Sequence, residues 1–190
     1  MARPRSEDKR NALLAAAVRV FAEDGINAPT ARIAKVAGVA EGTLFTYFSN
    51  KDELLNHLYM EIKRELREAM LSTYPRAADI KQRASHVWRE YVDWGLVNID
   101  KRKVVAQLAV SDRITDDTRA VASAGFAEFQ SMLQESMAKG LLREHPPAYV
   151  GAILVAIAEA TMDFMLKEPA AADQYRAAGF ETFWRAVASD

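Results

Sequence analysis

Residues 38–48, GVAEGTLFTYF, carry the side chains of this sequence that most directly suggest a binding chemistry. Hydroxyls, aromatic rings and one carboxylate stand here among small residues, so the segment can offer hydrogen bonds and apolar contacts to a partner. The stretch is too short and too aromatic for a linker, and it follows residues 30–37, TARIAKVA, which have the pattern of a helix. The chemistry indicated is non-covalent recognition.

Residues 30–48 fit the pattern of a helix-turn-helix, in which two short helices pack on each other and on a preceding helix. Ala34 is small where the two helices approach closely, and Gly38 occupies the tight turn, where a positive φ is least costly for glycine. The apolar positions that this packing requires are Ile33, Ala37, Val39, Leu44 and Phe48. This pattern also predicts which face of the second helix points away from its neighbours.

The outward face of that second helix is unusual for a helix that only meets water, because such a helix normally carries Lys, Arg and Glu. The residues expected to point outward are Ala40, Glu41, Thr43, Phe45, Thr46 and one edge of Tyr47. Threonine methyls and a phenyl ring suit thymine methyl groups, hydroxyls suit bases or phosphates, and a glutamate can accept from cytosine N4. The face is typical of a recognition helix. The competing interpretation is an ordinary helical hairpin with Phe45 buried in a larger bundle.

Residues 13–55, LLAAAVRVFAEDGINAPTARIAKVAGVAEGTLFTYFSNKDELL, closely resemble the DNA-binding domain of the TetR family of transcriptional repressors. That family shows Ala-Ala and Phe in the first helix, IA..AGV in the second, GTLY.YF in the third, and a Lys-acid-acid-Leu start to the fourth. The resemblance implies that Tyr47 and Lys51 contact phosphates and that the backbone near Thr30 meets a phosphate at a helix N-terminus. The predicted DNA-binding set is Thr30, Ala40, Glu41, Gly42, Thr43, Phe45, Thr46, Tyr47 and Lys51.

Three places depart from the usual pattern of that family. Ala28 and Pro29 stand where a threonine pair is common, Ala40 where serine is frequent, and Phe45 where tyrosine is frequent. Each difference removes a hydroxyl group. The departures therefore bear on individual phosphate contacts and leave the resemblance itself intact.

Net charge gives no overall nucleic-acid signature, because the 190-residue chain carries a formal charge of -1. Residues 1–51 are only slightly basic, with eight basic and five acidic side chains. Arg3 and Arg5 can reach into a minor groove, as the arms of homeodomains do, or can belong to a charged tail without that role. DNA binding therefore has to rest on the helix-turn-helix pattern.

Composition excludes several other classes of protein. The chain has no cysteine, which removes disulfides, thiolate metal sites and thiol nucleophiles. His57, His86 and His145 are isolated, so we expect no metal site and no cofactor. The charged start MARPRSEDKR lacks the apolar stretch of a signal peptide, so we expect a cytoplasmic protein. Residues 149–166 are apolar enough to resemble a membrane span, but they contain Glu159 and Asp163, which favours a buried helix.

The elements that must position these residues are predicted to be all helical, because apolar residues recur at spacings of three and four. We expect about nine helices. Ser6 and Gly25 mark the ends of the first, and Asn50 with Glu53 forms a capping box for the fourth, which ends before Pro75. The predicted spans are 6–25, 29–38, 40–47, 51–74, 77–98, 101–111, 116–139, 146–167 and 170–188. We assign residues 1–52 to a DNA-binding domain and 53–190 to a larger effector-binding and dimerisation domain, joined through the fourth helix.

A homodimer is expected, because one recognition helix covers few base pairs and two half-sites of an inverted repeat lie about 34 Å apart. The apolar helix at 146–167 and the last helix, with Phe180, Phe183 and Trp184, are the candidate dimer surface. The resemblance supports this choice, since TetR-family proteins pair their last two long helices in a four-helix bundle. Burial inside one chain is the alternative for either helix.

An aromatic and methionine set in the larger unit is the candidate lining of an effector cavity. The predicted ligand-binding residues are Trp88, Tyr91, Trp94, Phe126, Phe129 and Met162. Residues of these types at helical spacing also form plain hydrophobic cores. Glu159 can receive a cationic or hydrogen-bonding effector, pair across a dimer or face solvent.

The sequence therefore predicts a homodimeric regulator that binds double-stranded DNA and responds to a small molecule, most simply a repressor released from its operator by that molecule. It predicts neither an enzyme nor a membrane protein. The alternative is an all-helical carrier or enzyme in which residues 76–190 act on the ligand, and that alternative lacks a convergent set of acid, base or metal ligands.

Overall fold

The computed structural model describes residues 4–189, with side chains described from residue 7 onward. This part of the chain is built from helices, and the predicted all-α class is confirmed. The elements are α1 (Pro4–Asp24), α2 (Thr30–Ala37), α3 (Glu41–Tyr47), α4 (Lys51–Leu71), α5 (Ile80–Val97), α6 (Ile99–Ala109), α7 (Asp116–Ala124), α8 (Ala127–Ala138), α9 (Pro147–Lys167), a 3-10 turn (Pro169–Ala171) and α10 (Ala172–Val187).

Two compact units share these helices. The first unit holds the residues up to Glu65 together with Asn98–Ala122, and the second holds Leu66–Val97 with the residues from Ser123 onward. The change from one unit to the other therefore falls inside α4, at the junction of α5 and α6, and within the last turn of α7. The functional division into residues 1–52 and 53–190 stays a prediction.

Local signals account for most helix ends. Gly25 (φ 80°) follows α1 and Gly38 (φ 71°) follows α2, and both stand in the left-handed region that glycine adopts at little cost. The predicted cap of α4 is present, since Glu53 N–H donates to Asn50 Oδ1 at 2.9 Å, while the Glu53 carboxylate accepts from the N–H of Ser49 in place of the N–H of Asn50. Helix α1 begins at Pro4, before the predicted N-cap Ser6, whose side chain lies outside the described residues.

The prediction of a single helix over residues 116–139 is wrong. Residues 116–139 form two helices, α7 and α8, separated at Gly125 and Phe126. Glycine is a poor helix former, and the backbone of Phe126 (φ −101°, ψ 17°) leaves the helical region before α8 starts. This break raises the number of α-helices in the described residues from the nine expected to ten, and a 3-10 turn precedes α10.

The core of the first unit follows the predicted helix-turn-helix packing. Ile33, Leu44 and Phe48 are completely buried, as is Phe21 of α1, while Ala37 and Val39 are half-buried. Each large apolar side chain buried in this way stabilises the fold by about 1.5–3 kcal/mol. The short helices α2 and α3 therefore owe their stability to this packing more than to their own lengths.

The core of the second unit centres on Trp88 of α5, which is 2 % exposed. Its ring stacks on Phe183 of α10 with 6.1 Å between ring centroids, and its indole N–H donates to the carbonyl of Arg176 at 3.3 Å. Gly179 lets α10 come this close, because a Cβ atom there would lie 2.7 Å from the Trp88 ring. Helices α5 and α10 thus share one tightly packed contact.

Helix α9 is long and apolar enough to cross a membrane by length and composition, with a mean hydropathy of 1.6. One such helix is weak evidence for a membrane span, since the core helix of a soluble protein passes the same test. Only 28 % of its most apolar window is buried within the chain, so the expected burial is not achieved inside one copy. Tyr149, Val155, Phe164 and Leu166 are exposed on this helix.

Candidate nucleic-acid interface

Helix α3 is held by the turn at Gly38. The N–H of Val39 donates to the carbonyl of Ala34 at 3.0 Å, which closes the end of α2 and directs the chain into α3. Ala40 is the extended residue before α3 (φ −68°, ψ 146°), and no side chain caps this helix. The two helices of the motif are therefore joined by a short, hydrogen-bonded turn.

The predicted outward face of α3 is exposed. Phe45 keeps 44 % of its surface accessible, which rules out the hairpin in which this ring is buried within the chain. Ala40, Glu41, Gly42 and Thr46 are also exposed, whereas Thr43 and Tyr47 are half-buried. Within the described residues, the predicted recognition set thus lies largely on one accessible helix.

Glu41 is connected to the start of α2. The hydroxyl of Thr30 donates to Glu41 Oε1 at 2.8 Å, so the residue whose backbone is predicted near a phosphate is linked to a side chain predicted near bases. The bond fixes one carboxylate oxygen and uses the hydroxyl hydrogen of Thr30. It also ties the two helix N-termini together.

Lys51, the first residue of α4, points its amine back toward the motif. Its Nζ donates to the carbonyl of Ala28 at 2.7 Å and lies 5.8 Å from the centre of the Phe21 ring. Partial burial lowers the pKa of this amine, and the nearby Arg113 adds to that effect. An ammonium group has three donors, so the contact with Ala28 leaves N–H groups for a phosphate. The phosphate contact itself stays a prediction.

The junction between α3 and α4 is a small polar network around Phe48. Glu53 Oε2 accepts from the N–H of Ser49 at 2.6 Å, and these hydrogen bonds lower the pKa of the Glu53 carboxyl. His57 packs edge-on against Phe48, with 5.6 Å between ring centroids, and its Nδ1 lies 3.1 Å from an Arg10 nitrogen. The junction is therefore fixed by contacts from both α1 and α4.

A clasp between α4 and the loop after α6 is the main feature that the sequence analysis missed. Asn56 donates to the carbonyl of Arg113 at 2.9 Å, and the N–H of Thr115 donates back to Asn56 Oδ1 at 3.0 Å. Arg113 also donates to the carboxylate of Asp52 at 2.5 Å. The amide of Asn56 thus pairs with a backbone segment as a neighbouring strand would. An asparagine in a helix interior, where it has low propensity, was the available signal.

Gln107 of α6 makes a second such contact. Its Oε1 accepts from the N–H of Ile26 at 3.2 Å, directly after the positive-φ Gly25, and its Nε2 lies 3.5 Å from the carbonyl of Phe21. Backbone groups left unpaired where a helix ends need such partners. Helices α6 and α4 therefore both stabilise the position of α1, against which α2 and α3 pack.

We expect the Asn56→Ala variant to be less stable than the parent protein by about 1–3 kcal/mol, because the backbone groups of Arg113 and Thr115 lose their partner. Thermal unfolding followed by circular dichroism measures the loss. Asn11→Ala, an exposed change on α1, is the matched control and should be neutral or slightly stabilising, because alanine is the better helix former. Equal melting temperatures for the two variants would show that the clasp adds no stability.

One charged side chain of α2 is held in exposed ion pairs. Arg32 of α2 pairs with Glu23 and Asp24 at the end of α1, although the pairs are exposed and contribute little. Arg3 lies outside the described residues, and so does the side chain of Arg5, so their proposed minor-groove contact is not placed. In the part of the chain that the structure describes, no group of three or more His, Asp or Glu is arranged to hold a metal ion.

The predicted ligand-binding residues lie in the second unit, and most of them are packed in its core. Trp88, Tyr91, Trp94, Phe129 and Met162 are buried, and Phe126 is half-buried. The hydroxyl of Tyr91 donates to Glu159 Oε1 at 3.2 Å, and Phe129 packs edge-on against Tyr74. Their role in effector binding stays a prediction.

An open groove of about 690 Å³ lies elsewhere in the same unit. Most of its lining residues are polar, and they come from the loop between α4 and α5, the first half of α5 and one residue of α10. The lining residues are Thr73, Pro75, Asp79, Lys81, Gln82, Ser85, His86, Arg89 and Phe180. None of the six predicted ligand-binding residues is among them.

Comparison with known proteins agrees with this geometry. Residues 13–58 match the family model described as bacterial regulatory proteins, tetR family. A fatty acid metabolism regulator protein of Bacillus subtilis (strain 168) is 39 % identical over 74 residues, which is 38 % of this chain and 35 % of that protein. The match thus spans about a third of the length of that curated relative.

Solved structures extend the similarity to nearly the whole chain. A structure described as a tetR family transcription regulator from Shewanella sp. PV-4 has a TM-score of 0.86 and 28 % identity, covering 96 % of this chain and 99 % of that one. The Bacillus subtilis transcriptional regulator FadR in complex with stearoyl-CoA has a TM-score of 0.71 and 21 % identity, covering 92 % and 97 %. At that lower identity the likeness concerns the fold alone.

Proposed function

We propose that this chain is a transcription regulator of the bacterial tetR family, and that it is a cytoplasmic repressor that binds an inverted-repeat operator as a homodimer. A small-molecule effector releases it from the DNA. The observation that carries this proposal is the exposure of α3. This helix presents an exposed phenyl ring and small polar side chains, and it follows a tight glycine turn and packs through its buried face in the three-helix domain.

The predicted DNA contacts fall into two groups. Glu41, Gly42, Phe45 and Thr46 are exposed on α3 and are proposed to meet base edges, with Ala40 and Thr43 beside them. Thr30, Tyr47 and Lys51 lie at the edges of this face and are proposed to meet phosphates. Phosphate contacts fix the register of the protein, and base contacts give specificity.

The proposed dimer surface is centred on α9. Tyr149, Val155, Phe164 and Leu166 are exposed apolar side chains of this helix, and only 28 % of its most apolar window is buried within the chain. Helix α10 packs beside α9 and exposes Ala177, Ala178 and Thr182. Pairing with the same two helices of a second copy would cover these exposed side chains. Such pairing would give the four-helix bundle expected from the family.

The effector is proposed to bind in the second unit. The candidate contacts are the aromatic and methionine residues Trp88, Tyr91, Trp94, Phe126, Phe129 and Met162. Because the similar FadR structure holds stearoyl-CoA, a long-chain acyl-CoA is the first compound to test. By linkage, an effector that lowers DNA affinity must itself bind less tightly to the DNA-bound protein.

Selection of duplexes from a random DNA pool at near-physiological salt tests the proposal, and we expect recovery of an inverted repeat. The Lys51→Gln variant should then bind that operator more weakly, and the slope of log affinity against log salt should fall by about one per protomer. Because Lys51 also holds the carbonyl of Ala28, the melting temperature has to be measured alongside.

Lys139→Gln is the matched control, since it removes one exposed positive charge at the end of α8. It should leave the salt dependence unchanged. Retention of DNA without sequence preference, or no retention, would contradict a sequence-specific regulator and favour the carrier or enzyme alternative. Release of the operator by stearoyl-CoA would identify an effector class.

A further inference from the structure

Helix α3 lacks the side chains that usually read purines. Bidentate contacts from Arg or Lys identify guanine, and those from Asn or Gln identify adenine. Residues 41–47, EGTLFTY, contain none of these four residue types. If this helix reads sequence, it must do so through other groups.

The polar side chains of α3 are also partly engaged within the protein. Thr46 donates its hydroxyl to the carbonyl of Gly42 at 3.2 Å, so its hydrogen is used and its methyl group remains for a partner. Glu41 can only accept, and one of its oxygens already receives the Thr30 hydroxyl. Neither side chain can donate to N7 or O6 of guanine. The remaining donors are the hydroxyls of Thr43 and Tyr47, both on half-buried residues.

The groups left to meet the floor of the major groove are mainly apolar. The Phe45 ring is the largest of them, with 44 % of its surface exposed, and the Thr46 methyl lies one residue further along the exposed face. The apolar group that a base pair presents in the major groove is the C5-methyl of thymine. Burying a methyl group against a phenyl ring is favourable for both partners.

We propose that α3 reads its operator half-site chiefly through thymine C5-methyl groups, with Phe45 as the main specificity-determining residue. This inference rests on the proposed DNA-binding function and names the feature of the operator that the site recognises. The half-sites are then expected to carry thymines at the positions facing α3. Guanine in those half-sites contributes little through N7 or O6.

Base analogues test the proposal with the wild-type protein and the operator recovered by selection. Deoxyuridine in place of thymidine keeps base pairing and removes only the methyl group, and affinity should fall about fourfold for each contacted methyl. Deoxyuridine placed outside the half-sites is the control and should change nothing. Substitution of 7-deazaguanine for guanine removes N7 and should leave the affinity within about twofold. Fluorescence anisotropy at one fixed salt concentration measures each duplex.

A double-mutant cycle assigns the effect to Phe45. The Phe45→Ala variant should bind the thymine and uracil operators with similar affinity, because the ring that senses the methyl is gone. Val36→Ala, which shortens another exposed apolar side chain, is the control variant and should keep the full preference for thymine. A merely structural role of Phe45 would lower both affinities by the same factor.

The outcomes separate the inference from the function on which it rests. If the wild-type protein selects no inverted repeat, the proposed function fails and the inference falls with it. If it selects one but binds the thymine and uracil forms equally, or if 7-deazaguanine causes the larger loss, DNA recognition stands and methyl readout by α3 is overturned. If the thymine preference persists in Phe45→Ala, the assignment to Phe45 is overturned.

Discussion

The Gly179→Ala variant is expected to lose about 3 kcal/mol of stability, which for a protein of this size lowers the melting temperature by roughly 6–12 °C. The added Cβ atom would lie 2.3 Å from Thr161 Oγ1 and 2.7 Å from an atom of the Trp88 ring. The Trp88 ring is 2 % exposed and stacked on Phe183, so it has little room to move. Relief of the overlap has to come from separating α10 from α5 and α9.

Gly42→Ala is the matched control, because Gly42 also lies in a helix and a Cβ atom there meets nothing within 4 Å. That variant should be unchanged or more stable by up to about 1 kcal/mol, through its better helix propensity. Thermal and urea unfolding of both variants give the comparison. Similar stabilities for Gly179→Ala and the parent protein would show that the packing between α5 and α10 can accommodate an added Cβ atom at this position.

The Val155→Asp variant is expected to be monomeric and to bind the operator at least about a hundredfold more weakly than the parent protein. Val155 is 42 % exposed on α9, among the apolar residues of the proposed dimer surface. An aspartate placed there would lose its hydration on pairing with a second copy and would face its own symmetry mate. Two helix-turn-helix domains that are linked in a dimer gain avidity on an inverted repeat, and a monomer does not have that avidity.

Sedimentation velocity measures the oligomeric state, and anisotropy with the selected operator measures the affinity. Val97→Asp is the control, since Val97 is 83 % exposed at the end of α5 and lies outside α9 and α10. It should leave both the dimer and the affinity intact. A Val155→Asp protein that sediments as a dimer would place the interface on another surface.

The sequence by itself determined the helix-turn-helix and the start of α4 almost to the residue. The ends of α2 and α3, the glycine turn at Gly38 and the cap of α4 by Asn50 all follow from signals within about four residues of one another. The buried and exposed faces of α3 follow from helical periodicity alone. Such short-range signals do not depend on the rest of the chain, which is why they can be recognised before the fold is known.

Only the tertiary structure decided which polar side chains are already engaged. Asn56 pairs with the backbone around Arg113, and Gln107 with the backbone after α1. Lys51 donates to the carbonyl of Ala28. The first two contacts join residues more than fifty positions apart, and no local pattern identifies the partner, because it depends on how α6 and its following loop pack on α1 and α4.

Packing between distant parts of the chain also explains the remaining differences between the predicted and the observed structure. The break between α7 and α8 at Gly125 interrupts a stretch whose apolar spacing alone favours one helix. The close approach of Gly179 to Trp88 depends on the packing of α10 on α5. Local sequence specifies where helices start, stop and carry apolar faces, whereas the choice among possible partners for those faces is made by packing over the whole chain.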